Sequence, residues 1–322
     1  MISQKPMAAL SVDLDDFWSY LKTAGNPEWK SYPSFLSIAM PRLFDAVEQH
    51  DMGITAFVIG EDVKRPAVRP WLMEFVQRGH ELANHSFHHN AALAIASREV
   101  INEELQAVEQ VVGDEFNVKM VGYRGPSFSY SSRLLEVLAE RGYSYDASTF
   151  PTFLGPLARY YHRMVSRKKD KEGAGSDQLF GSWQEGFRSL KPYMWNLSSG
   201  GLVELPTTTM PYFRLPIHGT YLHFLADISE SLAILYFRIA LILCRLNKAS
   251  PVFLLHASDF LGNDDLEDSS VIPGMKRSAK QKVQFMHRVF FELSSRFEIV
   301  NMRDLAQAKS EAASQTRVNP PV

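Results

Sequence analysis

Short apolar runs alternate with stretches of helical period along most of the chain, the pattern of repeated βα units around a mainly parallel sheet. Ala8 to Asp13, Ile54 to Ile59, His80 to Asn84, Val118 to Tyr123, Val252 to Leu255 and Phe297 to Asn301 read as strands, with a shorter one at Tyr143 to Asp146. Between them, Ser37 to His50, Pro70 to Arg78, Ser97 to Val112, Ser131 to Arg141 and Lys280 to Arg296 read as helices. The helix from Ser97 carries its own start signal, a capping serine with Glu99 in the first turn, and the one from Ser131 stops at Gly142. The pattern lapses at about 156–189, where a polar, turn-rich run from Arg167 to Ser176 predicts an exposed insertion. Alternation resumes afterwards, so a single domain over 1–305 is the economical reading. A flexible tail is expected over 306–322, which lacks apolar periodicity.

Composition narrows this picture only a little. The 322 residues are 45% hydrophobic, enough for a globular core, and the net charge of −2 gives no reason to expect a nucleic-acid partner. A single cysteine, Cys244, excludes an intramolecular disulfide framework and fits a reducing compartment. No apolar run of signal-peptide length precedes the first strand, so the expected location is cytoplasmic. The longest apolar stretch, Leu232 to Leu246, falls short of the roughly 20 residues of a spanning helix, and Arg238 interrupts it. It reads as a core helix. Arg238, Arg245 and Lys248 beside so apolar a segment also admit peripheral contact with the inner membrane face.

The chemistry collects where strands end. Asp13, Asp15 and Asp16 follow the apolar run Leu10-Ser11-Val12, and strand alternation turns Asp13 and Asp15 to one side, where one can hold a metal and the other a proton. Asp16 is a reserve ligand. In His85-Ser86-Phe87-His88-His89, the first and last histidines fall on one face of a helical turn and can reach one ion, while His88 faces elsewhere. Asn84 and Asn90 are placed to orient those ligands. Arg124, delivered by the next strand, can grip Asp13 by a two-pronged hydrogen bond and fix it as a base, with Gly125 and Pro126 making a rigid loop and Phe128 a wall. His256 ends a nearly all-apolar strand and can act as a general acid, with Asp259 or Asp146 as its tuning partner. In barrels of βα units the active-site loops lie at this C-terminal edge of the strands.

Taken in order, these motifs resemble those of the polysaccharide deacetylase (NodB-homology) family of metal-dependent amidohydrolases and esterases. Ser11-Val12-Asp13-Leu14-Asp15-Asp16 looks like the D-x-D/E variant of its first motif, and His85, Ser86 and His89 match its His-Ser/Thr-x-x-His. Arg124 and Pro126 match Arg-x-Pro, Leu254 and His256 match Leu-x-His, and Asp146 is a partial counterpart of the fourth motif. The resemblance implies a distorted (β/α) barrel and hydrolysis of an N-acyl, usually N-acetyl, group on a sugar. It makes Asp13 the base, Asp15, His85 and His89 the metal ligands, and His256 the acid. Pro126, Phe128, Leu254 and Asp146 would line the substrate.

Two imidazoles and a carboxylate suit Zn²⁺ first, with Fe, Co, Mn or Ni as further candidates. The oxyanion would be met by the metal and by a backbone N–H near Arg124 or Phe128. The expected partner is a carbohydrate, free or as a lipid- or nucleotide-linked precursor. A deformylase or another C–N amidohydrolase uses the same groups. A glycosyltransferase would use Asp13-Leu14-Asp15 as a D-x-D element but leaves the histidines without a role, and a non-catalytic glycan-binding relative leaves the base and acid without one.

Overall fold

The computed structural model describes residues 5–23, 25–27, 29–31, 33–154, 183–267 and 271–321. Most of the expected insertion lies outside these residues; near its end, Trp183–Phe187 forms a short 3-10 turn. The strands are β1 (Met7–Asp13), β2 (Thr55–Val58), β3 (Glu81–Asn84), β4 (Gly122–Tyr123), β5 (Tyr145–Asp146), β6 (Tyr193–Asn196), β7 (Gly201–Glu204), β8 (Val252–His256), β9 (Glu298–Val300) and β10 (Arg317–Val318). The helices are α1 (Phe17–Thr23), α2 (Leu36–Gln49), α3 (Gly60–Val63), α4 (Arg69–Gln77), α5 (Arg98–Phe116), α6 (Ser132–Glu140), α7 (Gly219–Ile228), α8 (Glu230–Leu246), α9 (Ala279–Ser294) and α10 (Met302–Ser314).

All the strands enter one sheet in the order β10-β6-β7-β5-β4-β3-β2-β1-β8, with β9 also on β1. Its ladders are parallel except for β6 against β7. The extended segment Leu205–Thr209 bridges the gap between β5 and β8. On one side the N–H groups of Leu205 and Thr207 donate to the carbonyls of Asp146 and Thr149. On the other, Thr208 N–H donates to the Val252 carbonyl at 3.1 Å, and Val252 N–H donates to Thr208 Oγ1 at 2.7 Å. The result is a distorted (β/α) barrel, closed at this point by irregular hydrogen bonds in place of a ladder.

Side-chain alternation sorts the strands into two cores. Ala8, Leu10 and Val12 of β1, with Phe253 and Leu255 of β8, pack outward in the main core shared with the surrounding helices. Ala9, Phe57, Ala83, Tyr145, Val203 and Val252 fill the inside, together with Met302, Leu305 and Ala306. Above this plug the inward positions become polar: Ser11 and then Asp13.

The plug corrects the expectation of a flexible tail. Residues after Leu305 continue α10, which is capped by the Asn301 side chain and buries Ala306 and Ala313, and β10 then pairs with β6. Thr55 and Glu81 accept the N–H groups of Met302 and Arg303 inside the barrel. Alanine is a good helix former with a small side chain, so this run has no strong apolar period yet fits a narrow space. The helices expected near 37–50, 70–78, 97–112, 131–141 and 280–296 are present within a residue or two, except that α5 runs on to Phe116. The β6–β7 pair and α7 lie where no element was expected.

Candidate active site

Asp13 ends β1 and lies in register with His256 at the end of β8 and Phe57 on β2. Its carboxylate accepts a 2.6 Å hydrogen bond from Arg124 Nη1. Arg124 is fully buried, donates through Nη2 to Ser11 Oγ and through Nε to the Ala147 carbonyl, and stacks 4.0 Å over the Phe57 ring. Each guanidinium nitrogen thus has a partner, which is what a buried charge requires. The grip on Asp13 is by one nitrogen, not two as expected, because the other nitrogens reach Ser11 and Ala147.

Asp15 lies beyond the strand end and faces the histidines. Its Oδ1 is 3.0 Å from His89 Nε2 and 3.6 Å from His85 Nε2. One ligand atom from each of the three residues lies within 4.8 Å of the others. His85 Nδ1 meets the Arg124 carbonyl at 2.7 Å, so the proton sits there and Nε2 faces Asp15. Asp15 Oδ1 and His89 Nε2 are buried without a hydrogen-bond partner. Buried polar atoms ordinarily have partners. Two imidazole nitrogens and a carboxylate left facing one another therefore fit a divalent metal. Burial alone would raise the Asp15 pKa, but charge on His89 and the close approach of both imidazoles hold it well below the usual carboxylate range. His85 is pushed down by burial and, more strongly, up by Asp13 and Asp15, and ends raised.

The two histidines do not converge on a helical turn. Residues 85–90 are irregular, and Ser86 and His89 adopt left-handed backbone, with φ of 64° and 49°. Such conformations are uncommon outside glycine and cluster at functional sites. Asn84 Oδ1 accepts the Ser86 N–H and shapes this turn, while Asn90 caps the 3-10 turn at Ala91–Ile95. His88 turns outward to Glu104. Asp16 is not in the cluster either: its Oδ1 accepts the N–H groups of Phe17 and Phe35, so it ties the start of α1 to α2. The pairing of Asp13 with Arg124 also removes it from any D-x-D chelate with Asp15.

His256 Nδ1 lies 3.1 Å from Thr220 Oγ1, whose hydroxyl donates to Asp259 Oδ1 at 2.8 Å. Asp259 Oδ2 accepts the His256 backbone N–H. With its own proton committed, the threonine oxygen can only accept from Nδ1, which leaves Nε2 as the free ring nitrogen. Gly219 permits this, since a Cβ there would meet Asp259 Oδ2 at 2.3 Å.

Asp259 is therefore the partner of His256, and Asp146 is not. Asp146 accepts from Ser148 Oγ, which accepts the Gly125 N–H, and it faces the buried Glu204; burial raises the pKa of both carboxyls. Asp146 thus supports the Arg124–Phe128 loop from behind instead of touching the cleft. The N–H groups of Arg124 and Phe128 are spent on the carbonyls of Asn84 and Gly125, so neither serves as an oxyanion donor.

Pro126 is buried in this loop, Ser127 and Phe128 have positive φ, and Phe128 stacks on Phe150 at 5.0 Å. Phe150 in turn meets His218, which lies 6.3 Å from His256. Burial and the charge of His256 push the His218 pKa down to about 3. Leu254 is buried in register with Ser11. Sequence reasoning missed Tyr20, Thr220, His218 and Phe150. The Tyr20 hydroxyl is 3.2 Å from Ser258 Oγ, and burial, then the charge of Asp15, raise its pKa well above normal. Tyr20 lies one turn into the helix that follows the three aspartates, and that spacing was the available signal.

Residues 32–145 match the polysaccharide deacetylase family. The chain is 24% identical over 167 residues to the peptidoglycan deacetylase of Helicobacter pylori, a stretch covering 51% of this chain and 55% of that relative, so it spans little more than half the relative's length. Among solved structures, a Mycobacterium smegmatis protein described as a polysaccharide deacetylase superposes with a TM-score of 0.68 at 19% identity, covering 99% of this chain and 95% of the other. Puue allantoinase superposes with a TM-score of 0.55 at 12% identity, covering 97% and 92%. These two likenesses concern the fold. The chain is thus similar to the polysaccharide deacetylase family over residues 32–145 and shares its barrel fold with these solved structures.

Proposed function

We propose that this protein is a metal-dependent hydrolase that removes an N-acyl group, in the simplest case acetyl, from an amino sugar of a polysaccharide or of its lipid- or nucleotide-linked precursor. The observation that carries the reading is the convergence of Asp15, His85 and His89, with Asp15 Oδ1 and His89 Nε2 buried and unsatisfied, beside Asp13 and His256 at one rim. A divalent metal held by the trio, Zn²⁺ first on donor type, supplies a Lewis acid that polarises the carbonyl and lowers the pKa of water toward about 7 in the zinc case.

The chain's own groups do the rest. Asp13, oriented by Arg124, accepts the proton of the attacking water. His85 is held in one tautomer by the Arg124 carbonyl, so one residue orients both base and ligand. His256, as the imidazolium, delivers its Nε2 proton to the departing amine and returns to the neutral Nδ1–H form that Thr220 and Asp259 hold. The Tyr20 hydroxyl, which lies close enough to Asp15 to feel its charge, is the side-chain donor we assign to the developing oxyanion. Phe128 and Phe150 form an apolar wall against which a sugar ring can stack, and Leu254 limits the space for the acyl methyl.

The test is acetate release from N-acetylated glucosamine oligomers by the zinc-loaded protein and by Asp13→Asn. We expect a loss of roughly 100-fold or more in kcat with zinc content unchanged. Equal rates would exclude Asp13 as the base. Formate release from N-formyl sugars, without acetate release, would keep the chemistry and reassign the acyl group.

A further inference from the structure

The helix α8 is apolar on every side, and only half of it is core. Ala233, Ile234, Phe237, Ala240, Leu241 and Cys244 are buried. Leu232, Leu235, Ile239, Ile242 and Leu246 recur at intervals of three and four on the outside and are 44–71% exposed. Ile228 and Phe224 of α7 and Phe291 of α9 are exposed as well, at 80%, 41% and 61%. A helix apolar all round is ordinarily buried or in contact with lipid.

The charged groups beside this stripe are mostly cationic, with Asp227 the one carboxylate on α7. Across α8 and α9 the carboxylates are Glu230 and Glu292 alone. Each is shared between two arginines: Glu230 with Arg277 and Arg288, Glu292 with Arg238 and Arg296. Arg245 and Lys248 add two exposed cations at the end of the helix. This face is therefore basic on a chain whose net charge is −2. From these observations we infer that α8 lies in the surface of an anionic lipid bilayer, with its stripe among the acyl chains and its arginines and lysine at the headgroups.

Charge decides against a second copy as the occupant. A self-complementary interface would set this cationic excess against itself. None of the helices among the described residues is long and apolar enough to cross a membrane, so contact is in the plane. The geometry also bears on substrate. Helix α7 starts at Gly219 and Thr220 beside His256 and ends at exposed Ile228 next to α8, which puts the catalytic rim about 15 Å along one helix from the membrane face. An acceptor sugar carried on a lipid would meet the cleft from that side.

The inference is independent of the proposed chemistry, because binding is read without substrate. The full chain is sedimented with vesicles of phosphatidylcholine, with and without about 30% phosphatidylglycerol, at low and high salt. We expect at least about tenfold stronger binding to the anionic vesicles, weakened by salt. Leu235→Gln with Ile239→Gln and, separately, Arg245→Gln with Lys248→Gln should each lower it several-fold without altering circular dichroism. The inference fails if native protein ignores anionic vesicles or if both double variants bind as native does. It also fails if light scattering shows a dimer that Leu235→Gln with Ile239→Gln dissolves and no vesicle binding accompanies it, since the stripe would then cover a second copy.

Discussion

Asp13 and Asp15 are two residues apart and do different things because β1 stops between them. Asp13 is the last laddered residue, fixed by register beside His256 and by Arg124 from across the barrel. Asp15 follows the strand and is free to turn to the histidines. Alternation along a strand was enough to bring both to one side; which of them takes the arginine depends on a residue 111 positions away. Thr220 shows the opposite case, a residue with no motif around it that becomes important through its hydroxyl. We expect Thr220→Val to lower kcat by about tenfold with little change in KM, and Thr220→Ser to restore most of it. Equal kcat in valine and serine variants would reduce Thr220 to a packing residue.

At the level of elements, α4 and α2 close over the strand that carries the histidines, and His80 is wedged beneath them. Its ring lies 4.8 Å from Phe75 and stacks on Phe44, and burial, then Arg78, push its pKa down to about 4 from 6.5. A lowered folded-state value means that the unfolded chain binds the proton more readily. The stabilisation is present above pH 6.5 and is lost as pH falls toward 4. His80→Phe keeps a ring in the slot and removes the titration. Urea unfolding of the variant should lose about 1–2 kcal/mol less than the native protein between those pH values, after allowance for the ring's partial exposure. Parallel losses would show that other groups carry the acid limb. Helix α10 teaches a different lesson at this scale. Its alanines gave no amphipathic signal, because what it fills is a narrow barrel floor and not a broad helical face.

For the whole molecule, a metal at Asp15, His85 and His89 would join β1 to the β3 loop, and so couple ligand binding to global stability. Zinc at about 100-fold over its Kd should stabilise the native state by about 2.7 kcal/mol, read as a rise in Tm that a chelator reverses. His89→Ala should abolish the rise, whatever its effect on activity. A zinc-dependent rise retained in His89→Ala would place the ion elsewhere.

From the chain alone one could read the βα alternation, the strands that end in charge, and the residues that gather at the rim, Asp13, Asp15, His85, His89, Arg124 and His256, because each lies in a short-range pattern at or next to a strand end. The chain also marked α8 as too apolar for an ordinary surface. Folding in three dimensions was needed to bring the histidines together through two left-handed residues, to set Asp16 and Asp146 as braces of neighbouring loops, and to join His256 to Asp259 through Thr220. It likewise decided that the last helix plugs the barrel. Those outcomes turn on which distant backbone and side-chain groups meet when the sheet closes, and contacts of that range leave no periodic trace along the chain.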